Sequence, residues 1–126
     1  MANAKQVLIV DDSSTSRMII QRCLEMTSLG YETFVQAENG MEALAILREH
    51  EAFSLILTDI NMPKMDGQTF VKLVKNDALT RSVPLVVISS IADGAFIDEL
   101  LKLGVKAVIK KPVSPAKILE ALGGAL

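Results

Sequence analysis

The stretch Val7-Leu8-Ile9-Val10-Asp11-Asp12 is a run of four apolar residues that ends in two carboxylates. A short, continuous apolar run of this kind is typical of a strand that is buried on both faces of a sheet. Three later runs also end in a residue suited to phosphate chemistry. These are Leu55-Ile56-Leu57-Thr58 before Asp59, Leu85-Val86-Val87-Ile88 before Ser89, and Ala107-Val108-Ile109 before Lys110-Lys111-Pro112.

Helical patterns separate these runs, and residues 33–37 supply one more strand. The periodicity predicts helices over about 14–28, 39–50, 67–77, 93–103 and 114–122. The first has apolar positions at Met18, Ile19, Cys23, Leu24 and Met26. Strand and helix thus alternate five times, which favours an α/β fold. We expect a doubly wound, five-stranded parallel sheet with five helices on its two faces, a three-layer sandwich.

Composition restricts the possible functions. The chain has 126 residues, half of them apolar, which suits a single domain over residues 1–126. Its formal net charge of −2 indicates no general affinity for nucleic acid, and no apolar stretch is long enough for membrane insertion. Cys23 is the only cysteine and lies among apolar residues, which predicts a buried thiol. We expect a cytoplasmic monomer.

The residues at the strand ends predict a site. The carboxyl ends of parallel strands meet at one edge of a sheet, so Asp11, Asp12, Asp59, Ser89 and Lys111 would converge there. Taken alone, each has an ordinary structural interpretation as a helix cap, a turn residue or a solvated charge. Carboxylates placed so close together repel one another and favour a cation. Oxygen ligands that leave room for phosphate favour Mg²⁺.

The loop after the third run supports the same site. Asn61 lies two residues after Asp59, and its backbone carbonyl is a plausible additional oxygen ligand. Asp66-Gly67 is interpreted as the cap and turn that begin the third helix.

These residues together resemble the receiver domains of two-component response regulators, above all the single-domain chemotaxis type. The resemblance covers essentially the whole chain. It rests on the following residues: Asp11-Asp12 with Ser14 and Arg17; Asp59-Ile60-Asn61-Met62-Pro63 with Met65-Asp66-Gly67; Ser89; and Lys111-Pro112. It implies a flavodoxin-like strand order of 2-1-3-4-5.

The resemblance also implies a role for each site residue. Asp59 corresponds to the phosphoacceptor, Lys111 to the cation that contacts the phosphoryl oxygens, and Ser89 to the switch hydroxyl. The Mg²⁺ ligands implied are Asp12, Asp59 and the Asn61 carbonyl, with Asp11 assisting. The aromatic residue that such domains carry on the fifth strand is replaced here by Val108.

The function implied is a phosphorylation-activated switch in chemotaxis or motility that catalyses its own Mg²⁺-dependent phosphorylation and dephosphorylation. Its partners would be a sensor histidine kinase, a downstream target such as the flagellar motor switch, and a phosphatase. A phosphorelay intermediate is the alternative within this class. Two alternatives come from other functional classes. One is a flavodoxin-type flavin protein with a phosphate loop at Ser13-Ser14-Thr15-Ser16, and the other is a Mg²⁺-dependent phosphohydrolase. Asp11-Asp12 would repel a flavin phosphate, and the chain has no Trp and one Tyr for ring stacking.

Overall fold

The computed structural model describes residues 5–49, 53–91 and 93–123. Within these ranges five strands and five helices alternate along the chain. The strands are β1 (Lys5–Val10), β2 (Tyr31–Ala37), β3 (Phe53–Asp59), β4 (Leu85–Ser89) and β5 (Ala107–Lys110). The helices are α1 (Ser14–Met26), α2 (Gly40–Glu49), α3 (Gly67–Asn76), α4 (Gly94–Lys102) and α5 (Pro115–Ala121).

The strands form one sheet in the order β2-β1-β3-β4-β5, and every neighbouring pair is parallel. The predicted doubly wound α/β fold and its strand order are therefore confirmed. None of the described helices combines the length and the apolar character needed to cross a bilayer.

The core lies in two layers because successive side chains of a strand point to opposite faces of the sheet. Leu8 and Val10 belong to a cluster that includes buried residues of α2, α3 and α4. Val7 and Ile9 belong to the other cluster, which contains buried residues of α1 and α5. Helices thus cover both faces of the sheet, as the continuous apolar strands require.

Polar residues cap the N-termini of the helices. Ser13, Asp66, Asp93 and Ser114 each accept a hydrogen bond from a backbone amide three residues on. In α2 the cap is reciprocal. Asn39 Oδ1 accepts from the Glu42 amide at 2.8 Å, and Glu42 Oε1 accepts from the Glu38 amide at 2.8 Å. These bonds satisfy amides that have no partner inside the helix.

The buried face of α1 is narrower than its apolar pattern indicates. Cys23 and Leu24 are buried, as is Ile20, whereas Met18 and Met26 are more than half exposed. The sheet covers only one stripe of a helix, so the remaining apolar side chains lie outside the core. α1 also ends at Met26, two residues before the predicted boundary. His50, the predicted end of the second helix, lies outside the described residues.

Candidate functional site

The register of the sheet brings the polar residues after β1 and β3 together. Val10 pairs with both Ala37 and Thr58, so Asp11 and Asp59 follow at the carboxyl ends of neighbouring strands. On the other side of β3, Asp59 pairs with Ile88, and Ser89 pairs with Lys110. The predicted convergence at one edge of the sheet is present in the structure.

Asp59 is a buried carboxylate that is held at both oxygens. Its Oδ1 accepts hydrogen bonds from the backbone amides of Ile60, at 2.7 Å, and Asn61, at 3.4 Å. Its Oδ2 accepts from Lys111 Nζ at 3.4 Å. The first turn of the following loop therefore fixes one oxygen, and the other faces the lysine. The role of the Asn61 carbonyl as a metal ligand stays a prediction.

Asp11 is almost completely buried, at 1% exposure. Its Oδ1 accepts from the Ser13 amide at 2.9 Å. Within the described part of the chain, its Oδ2 has no hydrogen-bond partner. Burial raises the pKa of Asp11, and the charge of Asp59 adds to this effect, although the Ser13 amide opposes it. A buried carboxylate oxygen without a donor is costly to the folded state.

The three carboxylates fit a cation. One oxygen each from Asp11, Asp12 and Asp59 lie within 4.8 Å of one another. Asp12 is exposed, so this side of the cluster is open to solvent. A purely carboxylate donor set suits hard cations such as Mg²⁺ or Ca²⁺ and is unlike the thiolate or imidazole sites of softer metals. A bound divalent ion would give Asp11 Oδ2 the partner that it lacks.

Lys111 is the cation beside this cluster. Its Nζ lies 3.4 Å from Asp59 Oδ2 and 4.0 Å from Asp11 Oδ2, and its side chain is 34% exposed. The Lys111 amide donates to the Ser89 carbonyl at 2.9 Å, which ties the end of β5 to the end of β4. The Lys111-Pro112 peptide is cis. The ammonium thus lies between two carboxylates and is still accessible from solvent.

Ser89 is fully buried at the end of β4. Its Oγ accepts a hydrogen bond from the Ile91 amide at 3.0 Å. The hydroxyl hydrogen is free to turn toward an acceptor, since an oxygen that accepts one bond can still donate another. The role of Ser89 as a switch hydroxyl stays a prediction.

Two contacts at the site were not anticipated from the sequence. Gly67 packs directly on the Asp59–Ile60 backbone, and its amide donates to the Ile60 carbonyl at 2.8 Å. Arg17 donates from Nη1 to the Asp11 carbonyl at 2.6 Å. The sequence indicated only a turn at Gly67 and a motif position at Arg17. Both residues lie near the acidic residues along the chain, and this proximity is the feature that could have indicated the contacts.

We expect Asp11→Asn to raise the melting temperature of the metal-free protein at pH 7. Because burial raises the pKa of Asp11, the folded state holds this proton more tightly than the unfolded chain does. Below the ordinary Asp pKa of about 4 both states are protonated and the charge costs nothing. As the pH rises, the unfolded chain loses its proton first and stability falls. The gain from Asn should therefore shrink toward pH ~3.

Asp66→Asn is the matched control for this prediction. Hydrogen bonding by the Thr69 amide lowers the pKa of Asp66, so its charge favours the folded state and its loss should reduce stability at pH 7. Thermal unfolding monitored by circular dichroism in EDTA would measure both variants. A lower melting temperature for Asp11→Asn at pH 7 would contradict the assignment of a strained, buried charge.

Comparison with known proteins agrees with this geometry. The profile of the response regulator receiver domain matches residues 7–123. Over 117 residues the chain is 38% identical to the chemotaxis protein CheY1 of Helicobacter pylori, with 93% of each chain covered. It is 37% identical over 117 residues to a CheY homologue of Campylobacter jejuni, covering 93% of this chain and 88% of that one. The structure of the chemotaxis response regulator CheY4 of Vibrio cholerae superposes with a TM-score of 0.84 at 30% identity, over 98% of this chain and 100% of that one.

Proposed function

This chain belongs to the response regulator receiver domain family, and from that membership we propose a specific role for it. It is a phosphorylation-activated response regulator of a two-component system, and it accepts one phosphoryl group on Asp59 from a sensor histidine kinase. Its similarity to CheY proteins over almost the whole chain supports a function in chemotaxis. We further propose that residues 1–126 form a single receiver domain.

One observation carries the proposal. A buried carboxylate, Asp59, ends a central strand with two other carboxylates within 4.8 Å and an ammonium 3.4 Å away. No requirement of packing explains why three acids should share one edge of the sheet. An anionic substrate that arrives together with a divalent cation gives every one of these groups a partner.

The chemistry follows from the charges. A carboxylate oxygen of Asp59 attacks the phosphorus, and the bond from phosphorus to the imidazole nitrogen of the donor breaks. The leaving imidazole keeps the electron pair, and Asp59 becomes an acyl phosphate. Phosphoryl transfer depends mainly on position and on charge neutralisation. Lys111, which has access to both the carboxylates and solvent, offsets part of the charge on the incoming phosphoryl oxygens.

Asp11, Asp12, Asp59 and the Asn61 carbonyl are the residues that would hold Mg²⁺. Bound Mg²⁺ supplies positive charge that offsets the carboxylates and the phosphoryl oxygens. The three carboxylates carry −3, which one Mg²⁺ and the ammonium of Lys111 bring to zero. The fold contributes by bringing these ligands together before the ion binds. The backbone amides of Ile60 and Asn61, for example, already fix Asp59.

The signal leaves the site through Ser89 and the helix that follows it. In the phosphorylated protein the buried Ser89 hydroxyl donates to a phosphoryl oxygen, and the loop through Ile91 moves with it. Val108 and Phe96 both pack, half-buried, against the same core cluster. Val108 has few rotamers to exchange, so the movement falls mainly on the loop and on α4. A downstream target, such as a component of the flagellar motor switch, reads this surface.

The other candidate functions are less well supported. The same site would serve a phosphorelay intermediate, but the relatives described above are chemotaxis proteins. A flavin phosphate would meet the carboxylates of Asp11 and Asp59. The match to receiver domains and the similarity to CheY proteins favour a response regulator over a phosphohydrolase. Binding of the phosphorylated form to a motor component, and its failure to pass phosphate to a second histidine, would distinguish chemotaxis from a relay.

Phosphorylation by a small donor tests the proposed function directly. Incubation with phosphoramidate and Mg²⁺ should add one phosphoryl group to the protein, measured by intact mass spectrometry. The product should be labile to base, as an acyl phosphate is. EDTA should prevent the reaction, since the cluster would then lack its cation. A protein that gains no phosphate with Mg²⁺ present would contradict the proposal.

A further inference from the structure

Arg17 links the acidic cluster to the neighbouring helix and strand. It lies half-buried in α1, and its guanidinium donates in two directions. Nη1 donates to the Asp11 carbonyl at 2.6 Å, and Nε donates to Gln36 Oε1 at 3.0 Å. Gln36 in turn donates from Nε2 to Gln21 Oε1 at 3.1 Å. The planar guanidinium is therefore held in one orientation by β2 and α1.

Asp11 is fixed at every polar atom except the one that faces the cluster. Its amide donates to the Ala37 carbonyl at 3.1 Å, and its Oδ1 accepts from the Ser13 amide at 2.9 Å. Arg17 holds its carbonyl. Only Oδ2 is left, and this oxygen lies 4.0 Å from Lys111 Nζ. The free oxygen of Asp11 is consequently aimed by groups that do not themselves belong to the cluster.

The carbonyl that Arg17 binds is part of the peptide group that joins Asp11 to Asp12. Fixing this oxygen fixes the plane of the peptide, and with it the direction in which each carboxylate leaves the backbone. A hydrogen bond from a charged donor is about twice as strong as a neutral one. Without the bond from Arg17, this peptide would be freer to rotate, because Asp12 is exposed.

We propose that Arg17 is a positioning residue for the acidic cluster. By holding the peptide between Asp11 and Asp12, it arranges both carboxylates for a divalent cation before the cation arrives. Its effect on the cluster passes through the Asp11 carbonyl, to which it donates. This inference rests on the proposed function, because it assigns Arg17 to the cation site of the phosphorylation reaction.

Titration of the metal-free protein with Mg²⁺ by isothermal calorimetry tests the proposal. Groups that orient metal ligands from outside the coordination sphere change metal affinity by about 10–100-fold when removed. Arg17→Met should bind Mg²⁺ about 10-fold more weakly than the wild type. Arg17→Lys should restore part of the affinity. An ammonium can donate to the Asp11 carbonyl, but it lacks the planar set of donors with which the guanidinium also reaches Gln36. Arg22→Met, which removes the same charge from an exposed position of α1, should bind normally.

Gln36→Leu separates positioning from simple stabilisation. It removes the tie between α1 and β2 but leaves the Asp11 carbonyl to Arg17. It should lower the melting temperature as Arg17→Met does, yet change the Mg²⁺ affinity much less. In the absence of metal, amide hydrogen exchange at Ser13, which binds Asp11 Oδ1, should be faster in Arg17→Met than in Gln36→Leu.

The outcomes are distinct. If the wild type binds Mg²⁺ and Arg17→Met binds it within about twofold, the role of Arg17 is overturned and the proposed function stands. Equal weakening by Gln36→Leu and Arg17→Met would also overturn it, because both would then act through helix packing. If the wild type itself binds no Mg²⁺, the proposed cation site fails and the inference about Arg17 fails with it.

Discussion

Asp59→Asn should accept no phosphoryl group from phosphoramidate under conditions in which the wild-type protein accepts one. The amide of Asn has no anionic oxygen to attack phosphorus, so the loss should be complete. The fold should persist, because an amide oxygen can still accept the backbone hydrogen bonds from Ile60 and Asn61. Intact mass spectrometry with a base-lability assay would measure the product.

Asp98→Asn is a suitable control for this variant. Asp98 is an exposed residue of α4, so the same change of charge occurs away from the cluster. It should be phosphorylated at the wild-type rate. Base-labile phosphate at the wild-type level on Asp59→Asn would mean that another residue is the acceptor.

Gly67→Ala should both destabilise the protein and greatly slow phosphorylation. A Cβ at this position would lie 2.5 Å from Ile60 Cα, 2.7 Å from Ile60 Cδ1 and 2.9 Å from the Asp59 carbonyl oxygen. Two of these are backbone atoms, so the loop beside Asp59 must move. Overpacking of this kind costs about 1–3 kcal/mol. A displacement of ~1 Å at a reacting group can cost about 100-fold in rate.

Gly94→Ala provides the matched comparison. Gly94 lies in the first turn of α4. Apart from its chain neighbours and the backbone of its own helix, no atom of the described residues lies within 4 Å of the Cβ that would be added. Since Ala is a better helix former than Gly, this variant should be as stable as the wild type or slightly more so. Chemical denaturation would give the free energy of unfolding, and the phosphorylation rate would be followed in parallel. Equal behaviour of the two variants would contradict the close packing of Gly67 on Asp59.

Much of the fold was predictable because its causes are local. A strand with a continuous apolar run is stable only when both of its faces are buried. A Ser or Asp before a helix accepts hydrogen bonds from backbone amides a few residues further along the chain. The runs that became β1, β3, β4 and β5, and the cap at Asp66, follow from these rules. The meeting of Asp11 with Asp59 also followed, since parallel strands end at a common edge.

The amino-acid sequence by itself thus determined these strands, the cap at Asp66 and the edge at which the acidic residues gather. Only the tertiary structure decided which side chains of α1 are buried, because the sheet covers one stripe of the helix and leaves Met18 and Met26 exposed. It also decided that Gly67 contacts the Asp59–Ile60 backbone and that Arg17 reaches the Asp11 carbonyl. These contacts depend on small differences in the spacing of elements that pack from different directions. No periodicity along the chain encodes such differences.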